Sequence, residues 1–189
     1  MTAVLQPAAI GLDWGTSSLR GYLLAADGGV IDSVVKPWGI QHLPAGGFAR
    51  AFDEVVADWR GRYQAVTSLP VVAAGMAGSR QGWREVPYAD CPADAAVIGR
   101  RLLAFDSKVG RIHLVPGVIQ RGLLSNVLRG EETQIVHALA REPALAAESL
   151  VVLPGTHSKW VRVSDGQNVG FDTFMTGELF AVQDTLRLL

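Results

Sequence analysis

The pattern of apolar and polar positions predicts two strands joined by a tight turn over residues 10–24. Apolar residues lead into Asp13, a polar turn follows at residues 15–18, and apolar residues then resume in a second strand. The pattern recurs at residues 151–163, where the turn 155–158 repeats the Gly-Thr-x-Ser sequence of the first turn. Because internal repetition indicates repeated structure, the two hairpins predict a duplicated α/β unit whose copies face each other across a cleft.

The remaining apolar spacing predicts alternating strands and helices. Further strands are expected at residues 30–38, 70–77 and 111–115, and helices at 48–62, 94–105 and 131–141, with a polar loop through Arg129. The segment 70–77 has the continuous apolar composition of a strand buried on both faces. After the second hairpin, a third strand ending near residues 173–175 and a helix over 177–189 repeat the beginning of the first half.

This order of elements predicts a first α/β domain over residues 1–148 and the start of a second over 149–189. If the second half mirrors the first, roughly a hundred further residues would be needed to complete it. A half-domain that ended at its first helix would leave one face of its sheet uncovered.

The composition indicates a globular chain, since 49% of the 189 residues are apolar and only 19% are charged. A net charge of −1 without any run of Lys or Arg favours small-molecule ligands over nucleic acids or membrane surfaces. The single cysteine, Cys91, excludes an intramolecular disulfide framework and fits a reducing cytoplasm. We expect neither a signal peptide nor a transmembrane span, because the N-terminus lacks a basic segment and the uncharged run 63–79 is interrupted by proline and glycine.

The first turn has the residue types of a phosphate site. Glycine lets the backbone approach a ligand closely, and the turn amides and hydroxyls are hydrogen-bond donors. Asp13, at the end of the strand, is suited to the water shell of Mg²⁺, which takes one or two protein carboxylates. An ordinary hairpin with a solvated aspartate is the alternative. The loop 78–92 leaves the C-terminal end of a predicted strand, where open α/β sheets bind ligands.

Five short blocks follow one another along the chain, namely Asp13-Trp14-Gly15-Thr16, Ala74-Gly75-Met76-Ala77-Gly78-Ser79, Arg129-Gly130-Glu131-Glu132-Thr133-Gln134, Leu153-Pro154-Gly155-Thr156-His157-Ser158-Lys159-Trp160 and Phe174-Met175-Thr176-Gly177-Glu178-Leu179. Together these blocks resemble the signature sequences of the 2-dehydro-3-deoxygalactonokinase family. The resemblance implies the duplicated α/β fold of actin, hexokinase and the sugar kinases, a ribonuclease H-like fold, with an incomplete second copy. Family members continue for most of a further half-domain, which would contain the adenosine-binding glycines.

The resemblance implies an ATP-dependent kinase that phosphorylates 2-dehydro-3-deoxy-D-galactonate at its 6-hydroxyl in galactonate breakdown. It implies ATP and Mg²⁺ as cofactors, with Asp13 at the metal and the two turns at the phosphates. The expected phosphate-binding residues are Gly15, Thr16, Ser17, Ser18, Gly155, Thr156, His157 and Lys159. For Lys159 the alternative is an exposed lysine at a strand edge, and for His157 it is a turn residue without a role.

The catalytic base is expected to be a carboxylate that accepts the proton of the substrate hydroxyl. In the wider sugar-kinase superfamily a Gly-Asp pair opens the helix before the second phosphate turn, and Gly130-Glu131 occupies that place here. Glu131 is therefore the expected base, and Glu132 is the alternative. Both acids could instead only complement the positive N-terminus of the helix.

The substrate implied by the resemblance carries a carboxylate, which an arginine can bind through two parallel hydrogen bonds. Arg80 and Arg84, in the loop after the fourth strand, are the candidates for this contact, and Trp83 and Trp38 are candidates for walls of the sugar-acid site. The alternatives are solvated arginines and tryptophans packed in the core.

Two other interpretations of the sequence remain open, and so does the oligomeric state. The chain could be a truncated, non-catalytic protein that binds phosphate or the sugar acid. It could also be a kinase of the same fold that acts on another sugar or sugar acid.

Overall fold

The computed structural model describes residues 6–107 and 110–187 of the chain. Within these residues it contains twelve strands and four α-helices. In chain order they are β1 (Pro7–Trp14), β2 (Leu19–Ala25), β3 (Val30–Lys36), α1 (Gly47–Arg62), β4 (Val71–Gly75), β5 (Ala89–Asp90), α2 (Ala95–Arg100), β6 (Leu103–Ser107), β7 (Gly110–Leu114), β8 (Val118–Gln120), β9 (Asn126–Leu128), α3 (Glu131–Arg141), β10 (Glu148–Leu153), β11 (His157–Ser164), β12 (Gln167–Met175) and α4 (Gly177–Arg187).

Packing divides the chain into two compact units. The first contains the residues up to Pro87 together with Arg101–Pro116, and the second contains Tyr88–Arg100 and the residues from Gly117 onward. The predicted boundary between 1–148 and 149–189 separates the two copies of the repeated α/β unit, and not two packed bodies. It stays a prediction.

The first unit is built on a six-stranded mixed sheet with the order β3-β2-β1-β4-β7-β6. The strands β1, β2 and β3 form an antiparallel meander, while β4 joins β1 in parallel and β7 joins β4 in parallel. At the far edge β6 pairs with β7 in antiparallel orientation. Parallel pairing of β1 and β4 places the C-terminal end of β1, with Asp13, beside the C-terminal end of β4.

Helix α1 packs on one face of this sheet because its apolar residues recur at helical spacing. Phe52, Val55, Val56 and Trp59 are buried in one cluster with the inward side chains of β1, β2, β4 and β7. Full burial of an aliphatic or aromatic side chain of this size contributes about 1.5–3 kcal/mol. Packing of the apolar face of α1 therefore stabilises the sheet whose strands β1 and β2 are joined by the first turn.

The second unit contains two three-stranded sheets, with the orders β5-β8-β9 and β10-β11-β12. The sheet β10-β11-β12 is an antiparallel meander like β1-β2-β3, and each meander begins with a strand that ends at a Gly-Thr turn. Val161, Val163 and Phe171 are fully buried on its inner side. The repeated meander confirms the predicted duplicated α/β class of the actin- and hexokinase-like type.

Most predicted elements are confirmed by the structure. The two hairpins, the strand after the first hairpin, helix α1, strand β7, helix α3 and strand β12 lie where the apolar spacing placed them. Helix α4 begins at the predicted residue, Gly177, and residues 188 and 189 of that prediction lie outside the described residues. Residues 1–5, on which the signal-peptide expectation partly rests, also lie outside them.

Three expectations are wrong. The helix predicted over 94–105 ends at Arg100, and residues 103–107 form β6, because Leu103 and Phe105 alternate with exposed residues and pair with β7. The polar loop through Arg129 contains the short strands β8 and β9. The strand at 70–77 is buried on one face only, since Val71 and Ala73 face the cluster with α1 while Val72 is 38% exposed.

Among the described residues, no helix is both long enough and apolar enough to cross a lipid bilayer.

Candidate functional site

The first Gly-Thr turn connects β1 to β2 and is closed by its own backbone. The Gly15 amide donates a hydrogen bond to the Ser18 carbonyl (2.9 Å), and the side chains of Thr16 and Ser17 are exposed. Two further bonds reach the turn from the segment after β3, since the Ile40 amide donates to the Gly15 carbonyl (3.1 Å) and the next amide donates to the Thr16 carbonyl (3.2 Å). The turn conformation is thus stabilised by one hydrogen bond within the turn and by two from the segment after β3.

Trp14, next to the turn, anchors the same segment to the core. Its ring is fully buried, and its Nε1–H donates to the Trp38 carbonyl at 2.9 Å. The Trp38 ring itself is partly exposed and lies under the ammonium group of Lys36, 5.2 Å from its centroid. The predicted contact of Trp38 with a sugar acid stays a prediction.

Asp13 lies at the end of β1 with its side chain 44% exposed and forms an ion pair with Arg20, 2.9 Å away on β2. The two residues are directly opposite each other in the strand pair. Among the described residues, no group of three or more His, Cys, Asp or Glu side chains could hold a metal ion. A single accessible carboxylate fits a Mg²⁺ ion that keeps water and phosphate ligands, rather than a site made wholly of protein groups.

The second Gly-Thr turn connects β10 to β11 and contacts the start of α4. The amides of Gly177 and Glu178 donate to the carbonyls of Gly155 (3.2 Å) and Thr156 (3.1 Å). His157 Nε2 lies 2.5 Å from an Oε2 atom of Glu178. The predicted phosphate-binding turn is therefore bound to the Thr-Gly-Glu sequence that follows β12.

The last residue of this turn, Ser158, and the lysine that follows it are both buried. Ser158 is buried, and its Oγ is 2.5 Å from Thr176 Oγ1. Lys159 is only 8% exposed, and its Nζ donates to the Val127 carbonyl (2.8 Å) and to Thr173 Oγ1 (2.9 Å). Burial lowers the pKa of Lys159, and the nearby carboxylate of Glu131 partly offsets that effect. Lys159 is not an exposed strand-edge lysine, and its contact with phosphate stays a prediction.

The two acidic candidates open helix α3 but occupy different environments. Glu131 is partly exposed, and its Oε2 accepts a hydrogen bond from the Arg129 amide at 2.8 Å. Glu132 is 2% exposed, and its Oε2 accepts from the Gly130 amide at 2.7 Å, while its Oε1 is buried without a hydrogen-bond partner among the described residues. Burial raises the pKa of Glu132 to about 7. Of the two, Glu131 is the more exposed carboxylate.

The arginine and tryptophan candidates of the loop after β4 lie in the first unit. Arg80 is exposed, and the guanidinium of Arg84 lies 4.8 Å from the centroid of the Phe105 ring. Trp83 packs its ring against Trp14 and Phe105 in an aromatic cluster. Trp83 and Arg84 line a shallow cavity of about 470 Å³ near the start of α1. Their contact with substrate stays a prediction.

The structure brings some of the predicted residues together within each unit. Asp13 lies beside the first turn, and His157 and Ser158 belong to the second, with partners at Glu178 and Thr176. The two turns lie in different units, so their predicted approach across a cleft stays a prediction. The sequence patterns did not identify the residues whose amides bind the turn carbonyls, namely 40 and 41 at the first turn and 177 and 178 at the second. Residues 177 and 178 lie inside the sequence block 174–179.

A family model described as 2-keto-3-deoxy-galactonokinase matches residues 13–188. A relative from Rhizobium meliloti (strain 1021), named a probable 2-dehydro-3-deoxygalactonokinase, is 42% identical over 170 residues, which are 89% of this chain and 54% of the relative. The 2-dehydro-3-deoxygalactonokinase of Escherichia coli (strain K12) is 39% identical over 171 residues, which are 90% of this chain and 54% of the relative.

A crystal structure described as that of a 2-dehydro-3-deoxygalactonokinase protein from Sinorhizobium meliloti is similar to this fold. It has a TM-score of 0.81 and 40% sequence identity, covering 92% of this chain and 56% of that chain. The chain thus spans about half the length of the curated relatives it matches.

Proposed function

Because the chain belongs to the 2-keto-3-deoxy-galactonokinase family, we propose that it takes part in the ATP-dependent phosphorylation of 2-dehydro-3-deoxy-D-galactonate at the 6-hydroxyl. The observation that carries the proposal is the pair of Gly-Thr turns. In each turn the carbonyls of the glycine and the threonine accept hydrogen bonds from two consecutive backbone amides that follow the third strand of the meander. We further propose a cytoplasmic location and a duplicated organisation with domains over 1–148 and 149–189.

The turns are the proposed phosphate-binding elements. In each of them the residues that follow the first strand of a meander supply amides and hydroxyls, which are donors suited to phosphate oxygens. The residues assigned to this role are Gly15, Thr16, Ser17, Ser18, Gly155, Thr156, His157 and Lys159. His157 would supply an additional donor, with its ring oriented by the carboxylate of Glu178.

Asp13 is the proposed ligand to the water shell of Mg²⁺, which supplies charge neutralisation at the transferred phosphoryl group when bound. Arg20 holds the Asp13 carboxylate at the mouth of the turn, so that its position is set before any ligand arrives. An exposed pair of this kind contributes little to stability, typically about 0.2–1 kcal/mol. A role in ligand binding therefore explains the position of the Asp13–Arg20 pair beside the turn better than a role in stability does.

Glu131 is the proposed base. It would accept the proton of the 6-hydroxyl as the hydroxyl oxygen forms its bond to the γ-phosphorus and the bond to the leaving ADP oxygen breaks. The hydrogen bond from the Arg129 amide orients one carboxylate oxygen. Glu132, the alternative base, is buried and bound to the Gly130 amide, which supports the choice of Glu131.

The sugar-acid carboxylate is assigned to the loop after β4. Arg80 and Arg84 carry accessible guanidinium groups there, and a guanidinium can bind a carboxylate through two parallel hydrogen bonds. Trp83 and Trp38 are the proposed walls of this part of the site.

The test is a coupled assay of ADP release with ATP, Mg²⁺ and 2-dehydro-3-deoxy-D-galactonate. We expect Asp13→Asn to lower turnover by about two orders of magnitude or more, since the metal shell would lose its carboxylate. The control is Asp172→Asn, because Asp172 forms a similarly exposed ion pair with Arg162 between β11 and β12.

Equal turnover of Asp13→Asn and the control would place the metal elsewhere. Absence of turnover in the folded, unmodified chain would refute kinase activity for this chain and leave phosphate or sugar-acid binding. Turnover with a different sugar acid in preference to this one would move the assignment to another substrate.

A further inference from the structure

Both Gly-Thr turns are held by the same arrangement of backbone hydrogen bonds. In the first turn, the carbonyls of Gly15 and Thr16 accept from the consecutive amides of Ile40 and Gln41. In the second turn, the carbonyls of Gly155 and Thr156 accept from the consecutive amides of Gly177 and Glu178. In each case the donors lie just after the third strand of the same meander. We call these two short segments, residues 39–41 and 177–178, the clasps.

Each clasp contains a glycine that the turn requires for space. A Cβ atom at Gly39 would lie 2.1 Å from the Thr16 carbonyl oxygen and 2.3 Å from the Ser17 amide nitrogen. A Cβ atom at Gly177 would lie 2.6 Å from the Gly155 carbonyl oxygen. The atoms in the way belong to the backbone of the turn, so no rotation of a side chain could relieve the contact. A side chain at either position would push the turn away from its clasp.

The clasp determines which backbone groups a turn offers to an anion. A carbonyl oxygen bound to a clasp amide cannot rotate toward a phosphate, whose oxygens it would repel. Meanwhile, within residues 6–107 and 110–187, the amides of Thr16 and Ser17 in the first turn, and of Gly155 and Thr156 in the second, donate no hydrogen bond to a backbone carbonyl. With the carbonyls of the glycine and threonine bound, two consecutive amides in each turn remain as donors toward an anion.

We propose that Gly39 and Gly177 are positioning residues, each of which holds one turn in its anion-binding conformation by letting the clasp approach the turn backbone. The proposal rests on the proposed function, because it takes the turns to be phosphate-binding. Each glycine acts only on the turn of its own unit. This one-to-one relation distinguishes positioning of a turn from a general contribution to folding.

The experiment uses ¹⁵N-labelled chain titrated with inorganic tripolyphosphate and Mg²⁺, with amide chemical shifts as the readout. Gly39→Ala is expected to weaken anion binding, measured at the first turn, by about tenfold or more, equivalent to about 1.4 kcal/mol, and without anion to change the amide shifts of the first turn but not those of the second. Gly177→Ala is expected to do the reverse. Gly61→Ala and Gly99→Ala are the controls, because a Cβ atom at either position meets nothing within 4 Å.

The outcomes separate the inference from the proposed function. Shifts at the turns of the unmodified chain that survive both clasp substitutions would overturn the inference alone. Changed amide shifts at both turns in either variant before any anion is added would also overturn it, since a general loss of structure affects both units. Absence of any response at the turns of the unmodified chain would refute phosphate binding, and the inference with it.

A second measurement decides the matter if a clasp variant does not fold. Hydrogen exchange of the unmodified chain should show that tripolyphosphate slows exchange of the clasp amides of Ile40, Gln41, Gly177 and Glu178. Such slowing would follow from stabilisation of the clasped turn by the bound anion. Unchanged exchange at these four amides, with the turns responding to the anion, would overturn the proposal.

Discussion

Substitution of Glu132 by glutamine tests how burial at the start of α3 controls the pH dependence of stability. The side chain is 2% exposed, one carboxyl oxygen accepts from the Gly130 amide, and the other has no partner among the described residues. Burial raises its pKa from 4.5 to about 7, because the ionised form loses its solvation. Glutamine keeps the shape and the acceptor for the Gly130 amide but cannot ionise.

The sign follows from proton binding. Between pH 4.5 and about 7 the folded chain retains a proton on Glu132 that the unfolded chain releases. The stability that this group contributes is therefore fully present below pH 4.5 and is lost as the pH rises through about 7. A difference of this size between folded and unfolded pKa values corresponds to roughly 3 kcal/mol of unfolding free energy.

The assay is urea unfolding of both proteins, followed by circular dichroism, from pH 5 to pH 8. At pH 5 we expect the smallest effect of ionisation in this range, since the folded chain then keeps Glu132 neutral and only the first part of the loss above pH 4.5 has occurred. At pH 8 the Glu132→Gln variant should be more stable by up to about 3 kcal/mol. A difference between the two proteins that stays constant across this pH range would refute the reasoning, because it would mean that Glu132 does not titrate differently in the folded chain.

Three further predictions concern other sites. Phe171→Ala removes a fully buried aromatic side chain of β12 and should lower the unfolding free energy by about 3–5 kcal/mol, measured by urea unfolding; a loss below about 1 kcal/mol would contradict its burial. Glu131→Gln should lower kcat by about a hundredfold or more with little change in the KM for the sugar acid, and a change confined to KM would exclude it as the base. Burial raises the pKa of the Cys91 thiol to about 11, so iodoacetamide at pH 8 should alkylate the folded chain at least about tenfold more slowly than the urea-unfolded chain, and equal rates would refute that environment.

The elements that sequence predicted well are those whose signal is local. Helix α1 carries its apolar stripe within sixteen residues, and the strands on either side of each Gly-Thr turn are bounded by that turn. The segment 94–105 shows the limit of such signals, because Leu102 and Phe105 suit a helical spacing while Leu103 and Phe105 suit a strand. Its assignment to β6 depends on pairing with β7, which the spacing within the segment does not contain.

The candidate site divides in the same way. Asp13 and the two turns could be found from motifs, since a glycine followed by hydroxyl residues at a strand end is visible in the sequence. The burial of Lys159 could not be found, because its partners Val127 and Thr173 lie 32 and 14 residues away along the chain. The difference between Glu131 and Glu132 was equally hidden, since neighbouring residues of one helix differ only in the surface that each meets.

By itself the sequence determined the repeated hairpins, the α/β class, the family resemblance and the residue types available for phosphate and metal. Only the tertiary structure decided which carboxylate of the Glu131-Glu132 pair is buried and which backbone groups of each turn are already bound. It also showed that Gly39 and Gly177 make room for the two turns. The physical reason is that conformational preferences act between neighbours along the chain, whereas burial, clearance and hydrogen-bond partners depend on segments that meet only after folding.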